Sequence, residues 1–360
     1  MRITCVIGTL CGGGAERVMT YLAGGLAARG HTVTLLTLDT SVPDFYTTPE
    51  NVTRMRIHLP PFKSVGFLVG FLRLWRMTKA LRKTKPDVVI SFMAINVLAS
   101  CLLLRKKYIY ADHLDVRQVP FSRKWMILRN LLFRTAFKVV VLSRRDEKFI
   151  KLYHKKWHPV VIYNPALPAA TEKFPRPDFM RAGTSYVIAV GRLVKQKGFD
   201  RLLEAWRRVC NENPSWRLAI IGAGPDEKEL KELAETLDVQ HYVDFVAPIK
   251  NLAPVYQHAK LYVMSSRAEG FPMVLLEAMA AGLAAVSFNC TGPDVIIRDG
   301  IDGFLVKQNY TDLLAKKMAE LMKNDALRSE FGKQARTVTE RFSLKNYLDA
   351  YENLCKSAHR

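Results

Sequence analysis

The 360 residues contain only six cysteines, and none of them forms a CxxC pair or stands beside a cluster of histidines. Scattered as Cys5, Cys11, Cys101, Cys210, Cys290 and Cys355, they argue against a zinc site and against a secreted disulfide framework, so a reducing cytoplasm is expected. No apolar run reaches the roughly 18 residues of a spanning helix. The run at residues 1–12 is soon broken by glycines, unlike a signal peptide. The chain is therefore expected to be soluble or peripheral to a membrane. It also lacks a GK[ST] phosphate loop, a GxGxxG dinucleotide fingerprint and a DxD metal motif. The missing fingerprint, with no ribose-binding acid after the first strand, disfavours a dehydrogenase. No stacking module of an RNA or DNA binder is present either, which leaves a nucleic-acid-binding protein as the weaker rival reading.

Acidic residues are scarce in one half only. Residues 1–165 carry 27 Lys and Arg against 9 Asp and Glu, a net +18, whereas the rest carries 27 against 24, a net +3. Such a field suits phosphates, lipid head groups or an anionic membrane surface; simple solubility is the plainer alternative.

With 49% hydrophobic residues the chain is globular, and its length suggests two domains. Residues 2–8 read as a strand, residues 12–14 as a glycine loop, residues 15–29 as a helix and residues 33–38 as a second strand, a βαβ opening that predicts a parallel sheet. Further strands are expected at residues 88–92, 108–111, 139–142 and 160–163. Pro165, Pro168, Pro175 and Pro177 then mark a linker. The pattern restarts with a strand at residues 186–190 and helices at 200–211 and 226–237. Strands at 218–221, 243–246, 261–264, 285–288 and 303–306 and helices at 252–258, 311–322, 326–339 and 344–357 follow. We expect an α/β protein of two doubly wound Rossmann-like domains facing across a cleft. Residues 1–165 form the first domain, 166–182 the linker, 183–340 the second domain and 341–360 a C-terminal helix that crosses back to the first.

Four stretches carry the chemistry. Residues 265–282 read as strand, loop and helix. Gly270 and Pro272 leave backbone N–H groups at a helix start, which suits an anion. Glu269 stands in the loop and Glu277 lies eight positions on, about two turns into the helix. Arg192 and Lys197, after the first strand of the second domain, could neutralise a diphosphate, or simply form a solvated basic turn. The loop at residues 222–225 follows the next strand. Near the amino end, Gly13 and Gly14 join a strand to a helix and could expose amides to an anion or merely form a tight turn.

Together these elements resemble the retaining glycosyltransferases of family 4, with the glycosyltransferase B fold, over nearly the whole length. The resemblance rests on GGGAER at residues 12–17, GR-x4-KG at 191–198, GAGP at 222–225 and E-x7-E at 269–277 followed by Gly282. It implies a nucleotide-sugar donor in the second domain. Arg192 and Lys197 then match the diphosphate contacts, and Glu277 the ribose ligand. Glu269, with the backbone of Gly270, Phe271, Pro272 and Met273, matches the part that holds sugar and phosphate. His113, after residues 111–112, matches a first-domain histidine that faces the donor sugar, although a histidine at a strand end is equally often structural. Ala247 departs from the glycine common beside the base. Glu269 and Glu277 could also be read as a glycosidase pair, but a glutamate inside a helix suits a neutral polar ligand group. No metal, cofactor or obligate protein partner is expected.

Residues 62–85 and 121–137 combine apolar and basic side chains at helical spacing. Arg73, Arg76, Lys79, Arg82 and Lys83 are candidates for an acceptor or membrane surface. The expected acceptor is a lipid-linked saccharide at the cytoplasmic face of the inner membrane, with a UDP-linked hexose or N-acetylhexosamine as donor. GDP-mannose or a soluble acceptor is the alternative.

Overall fold

The computed structural model describes residues 1–38, 43–59, 67–94, 96–113 and 123–360. Residues 62–66 and 121–122 of the two basic segments lie outside that set. The chain divides into two compact units, Met1–Asn164 with Lys345–Arg360, and Pro165–Leu344.

The strands of the first unit are β1 (Arg2–Ile7), β2 (Thr32–Thr37), β3 (Thr53–Arg56), β4 (Val88–Phe92), β5 (Lys107–Ala111), β6 (Lys138–Val141) and β7 (Pro159–Val161). They form one parallel sheet in the order β3-β2-β1-β4-β5-β6-β7. Central strands such as β4 are buried along their whole length, as expected of a sheet covered on both faces. β3 is an edge strand that the sequence pattern does not announce. It carries Arg54 and Arg56, both paired with Asp44 at 3.2 and 2.6 Å, so charge rather than apolar alternation marks it.

Two helices of this unit also lie where none is predicted. Asn96–Leu103 has only Asn96 and Ser100 as polar residues, too few to mark a 3.6-residue periodicity. Arg144–Tyr153 is capped by Ser143, whose hydroxyl accepts from the Asp146 amide at 3.0 Å. One face of the sheet is covered by helices Phe67–Thr84, Asn96–Leu103 and Arg123–Phe133, with Met77, Leu81, Leu98, Cys101 and Phe133 in the core. The C-terminal helix Leu344–His359 packs on helix Gly14–Ala28. Arg29 there binds Asp349 at 2.8 Å and Glu352 at 2.7 Å. Among the described residues no helix is long and apolar enough to cross a membrane.

The second unit contains β8 (Ser185–Val190), β9 (Trp216–Ile221), β10 (Val243–Val246), β11 (Leu261–Met264), β12 (Ala284–Phe288) and β13 (Gly303–Val306). They are parallel in the order β10-β9-β8-β11-β12-β13. Trp206, Leu202, Leu218, Val263, Met318 and Phe331 belong to its core. The single helix expected at 326–339 is two, Asp325–Ala335 and Val338–Arg341. Arg298 Nη2 donates to the Gln334 carbonyl at 3.2 Å and to Thr337 Oγ1 at 3.0 Å, which satisfies the end of the first helix and lets the chain turn. Residues 166–182 attach to this unit: Ala166 N donates to the Phe342 carbonyl at 2.7 Å and Phe174 N to Gln257 Oε1 at 3.1 Å.

Candidate active site

In the second sheet the strand order reverses between β8 and β11. The crevice at the carboxyl ends of such a pair is where open α/β sheets take ligands. Two loops leave those ends, residues 191–198 and 265–272, and they are tied together. The Arg267 amide donates to the Gln196 carbonyl at 2.8 Å, Gln196 Nε2 to the Ala268 carbonyl at 2.9 Å, and Ser265 Oγ to the Lys197 carbonyl at 3.0 Å. Gly198 has φ +65°, and a Cβ there would lie 2.2 Å from the Ser265 carbonyl oxygen, so only glycine lets the loops meet. The loop at 222–225 is packing rather than an open edge: a Cβ on Gly224 would stand 2.2 Å from the Leu193 carbonyl oxygen.

This clasp sets Lys197 Nζ 2.6 Å from Glu269 Oε1, and Ser266 Oγ donates to the same oxygen at 2.6 Å. Glu269 is buried, so the ion pair is shielded from solvent. Glu277 is half-buried on helix Met273–Ala280, with the Tyr256 hydroxyl 3.3 Å from Oε2 and 3.4 Å from the Val274 carbonyl. Both carboxylates act on the buried floor. Burial first, then the charges of Glu269 and Glu277, push the Tyr262 hydroxyl well above its ordinary range.

Helix Met273–Ala280 starts after Pro272 with no side chain capping it, which leaves first-turn N–H groups for an anion. Gly270 is supported from below: Gly292, at φ +96°, has no room for a Cβ, which would come 2.7 Å from the Gly270 carbonyl oxygen. Phe271 is buried with its ring against Phe342 at 5.3 Å and contributes backbone and packing. Met273 is likewise buried. Arg192 is exposed and forms no ion pair with the described residues.

In the first unit the glycine loop differs from a bare anion cradle. Gly13 caps helix Gly14–Ala28, and a Cβ on it would lie 2.2 Å from Glu16 Oε2. Thr9 Oγ1 donates to Glu16 Oε1 at 3.4 Å, so a carboxylate of the first helical turn already leans over the loop. His113 follows β5, buried against Phe92 with ring centroids 4.3 Å apart. Its Nε2 is buried without a hydrogen-bond partner among the described residues, and burial pulls the imidazole pKa down to about 3. It is therefore a neutral group at physiological pH. On helix Phe67–Thr84, Arg73 is half-buried, Arg76 donates to the His58 carbonyl at 2.9 Å, Lys79 stands 5.1 Å over the Trp75 ring, and Arg82 and Lys83 are exposed.

The family model described as "Glycosyltransferase Family 4" matches residues 12–166, and the one described as "Glycosyl transferases group 1" matches residues 171–338. The amylovoran biosynthesis glycosyltransferase AmsD of Erwinia amylovora is 30% identical over 331 residues, covering 90% of either chain. This chain belongs to the family 4 glycosyltransferases. A Campylobacter jejuni transferase, whose name gives an undecaprenol-diphosphate-linked saccharide as acceptor and N-acetylgalactosamine as the sugar, is 25% identical over 98% of either chain. Anabaena HepE, solved with UDP and glucose, superposes with a TM-score of 0.81 at 19% identity, over 99% of this chain and all of the other. That likeness establishes the glycosyltransferase B fold.

Several residues of this glycosyltransferase site carry no sequence signal of their own. Gln308, 42 positions from Ser266, donates to the Ser266 carbonyl at 3.0 Å and accepts from Arg201 at 3.0 Å. Tyr256 comes from a short helix, Ala253–His258, and meets Glu277 only after the sheet forms. Cys290 lies near Glu269. Burial first, then the Glu269 and Asp294 carboxylates, push its thiol to about 12, so it stays protonated. Ser266, next to the strand end and three residues before Glu269, is the one that loop chemistry could have suggested.

Proposed function

We propose that the enzyme moves a hexose or N-acetylhexosamine, with retention, from a UDP-linked sugar to a membrane lipid-linked saccharide during surface polysaccharide or lipid-linked oligosaccharide synthesis. The observation that carries this is the Lys197–Glu269 pair at the β8/β11 reversal, with Glu277 two helical turns beyond. In this reading Lys197, Arg192 and the first-turn amides of helix Met273–Ala280 take the diphosphate, Glu277 the ribose hydroxyls, and Glu269 the sugar. The HepE complex with UDP and glucose supports the nucleotide, and the Campylobacter relative's name supports the acceptor.

The reaction breaks the bond from the anomeric carbon to the phosphate oxygen and forms one to the acceptor hydroxyl oxygen on the same face. The hydroxyl proton passes to the departing phosphate oxygen. Protein groups stabilise the negative charge growing on that oxygen, and preorganised cations and amides do so without reorganising. His113 is read as a neutral hydrogen-bonding group for the donor sugar, consistent with its low basicity.

The test is release of UDP from UDP-glucose and UDP-N-acetylglucosamine, with and without lipid-linked acceptor. Lys197→Ala and Glu277→Ala are each expected to lower turnover by about 10²–10³-fold while leaving the circular dichroism of the folded protein near wild type. Wild-type rates in both folded variants would reject the assignment. Turnover of GDP-mannose in place of either UDP sugar would reject the base.

A further inference from the structure

Residues 166–182 open the second unit. A segment that only joins two units needs reach, not fixed contacts. This one is fastened at two points. At its start the Ala166 amide donates to the Phe342 carbonyl at 2.7 Å, and Ala166 bridges Ser343. That end is rigid, because the neighbouring Arg341 binds the fully buried Asp302 at 3.1 Å and the Ile296 carbonyl at 2.9 Å.

Further along, the linker backbone is gripped by two side chains of helix Ala253–His258. Gln257 Oε1 accepts from the Phe174 amide at 3.1 Å, while Gln257 Nε2 donates to the Glu172 carbonyl at 2.6 Å and the Ala170 carbonyl at 3.5 Å. His258 Nε2 donates to the Phe174 carbonyl at 3.0 Å. A carboxamide accepts and donates at once, which neither a carboxylate nor an ammonium can do.

A surface tie of this kind usually does no more than order a loop. What sets it apart is the other face of the helix. Ala253–His258 is six residues long and has no side-chain cap, so it is too short to hold its own position. Val255 and Tyr256 are buried and Gln257 is exposed, so the core grips one side of the helix and the linker the other. On the buried side the Tyr256 hydroxyl reaches Glu277 Oε2 at 3.3 Å and the Val274 carbonyl at 3.4 Å. The rigid end of the linker meets the same stretch, since the Phe342 ring lies 5.3 Å from the ring of Phe271. The two fastening points therefore bear on opposite ends of residues 270–277.

We propose that Gln257 is a positioning residue: by clamping residues 170–174 on helix Ala253–His258 it holds the Tyr256 hydroxyl beside Glu277, and with it the ribose that Glu277 takes. The last step rests on the reading of Glu277 given above.

Gln257→Glu keeps the shape of the side chain and the acceptor for the Phe174 amide, but sets a carboxylate oxygen against two carbonyls. In UDP-release assays the donor KM should rise about 3-fold with kcat little changed. In a Tyr256→Phe background the same substitution should change KM by less than about 1.5-fold, because the path is already cut. In nucleotide-free protein, hydrogen exchange across residues 253–259 should quicken by about 10-fold while the rest of the second unit keeps its wild-type rates. A wild-type KM in Gln257→Glu beside a raised KM in Glu277→Ala would overturn the proposal, and so would KM effects that multiply in full in the double variant. A joint fall in kcat and thermal stability would make Gln257 merely structural and overturn it equally. Quickened exchange with a wild-type KM in both Gln257→Glu and Glu277→Ala would uphold the hold on Tyr256 and reject Glu277 as the ribose ligand.

Discussion

The two units share an architecture of parallel strands and crossover helices, yet they invest their polar residues at opposite edges of it. In the second, residues 191–198 and 265–272 are locked by backbone and side-chain bonds around the paired charges of Lys197 and Glu269. In the first, Arg105, Lys106, Lys155 and Lys156 stand without ion pairs among the described residues, and nine of the twelve large apolar side chains that stand exposed among the described residues belong to it. The fold accommodates both because strand cores set stability while the loops at either end vary freely. Paired and buried groups keep a fixed geometry, whereas unpaired exposed groups keep their attraction for something outside the chain.

Perturbing each unit separately should break this comparison in opposite ways. The largest effect is expected at Gly198. Gly198→Ala forces a left-handed alanine and a clash with the Ser265 carbonyl. It should cost about 1–3 kcal/mol in the second unit and lower kcat/KM with it, read by calorimetry and UDP release. A change confined to the first unit's transition would contradict the clasp.

Next in size is Glu352, which anchors the C-terminal helix to the first unit. Its carboxyl is held down to about 2, first by Lys356 and then by Arg29. A depressed carboxyl contributes stability above its ordinary value near 4.5, and that contribution disappears as pH falls through the folded value. Denaturant titrations should show the first unit weakening between about pH 4.5 and pH 2. Glu352→Gln should flatten that slope and cost about 1 kcal/mol at neutral pH, with donor KM unchanged. A variant as acid-sensitive as wild type would remove Glu352 as the cause.

The smallest effect is expected at Tyr256, whose hydroxyl steadies Glu277. Tyr256→Phe should raise the nucleotide-sugar KM by about 3–10-fold with kcat little changed. An equal fall in kcat would assign the tyrosine to the reaction itself rather than to positioning.

Much of the architecture is legible in the residues, because alternating strands and helices with glycine at the joints permit few other arrangements. The less legible parts have identifiable physical causes. β3 hides because its arginines are satisfied by Asp44, a partner from a loop before it. Helix Asn96–Leu103 hides because it is short and almost wholly apolar, with only Asn96 and Ser100 polar. Ser143 and Asp146 did offer a capping signal that a reading tuned to apolar runs passes over. At the site, Lys197 and Glu269 stand out by motif, and their contact is made by the fold. Gln308, which fixes the loop from 42 residues away, has no local signature. The Glu16 carboxylate over Gly13 shows the reverse: a glycine run looks like an open cradle until the next helical turn folds back on it.

The ion pair between Lys197 and Glu269 has one more consequence under the proposed reaction. At rest the ammonium already has a counter-ion, so an arriving diphosphate must evict a carboxylate, and the evicted group then finds the sugar hydroxyls as its new partner. After transfer the sugar is gone, and the carboxylate, bonded to Ser266, is left beside the nucleotide's phosphates. Like charges at that distance repel, and the lysine is drawn back to its first partner. The same contact would thus help expel the spent nucleotide.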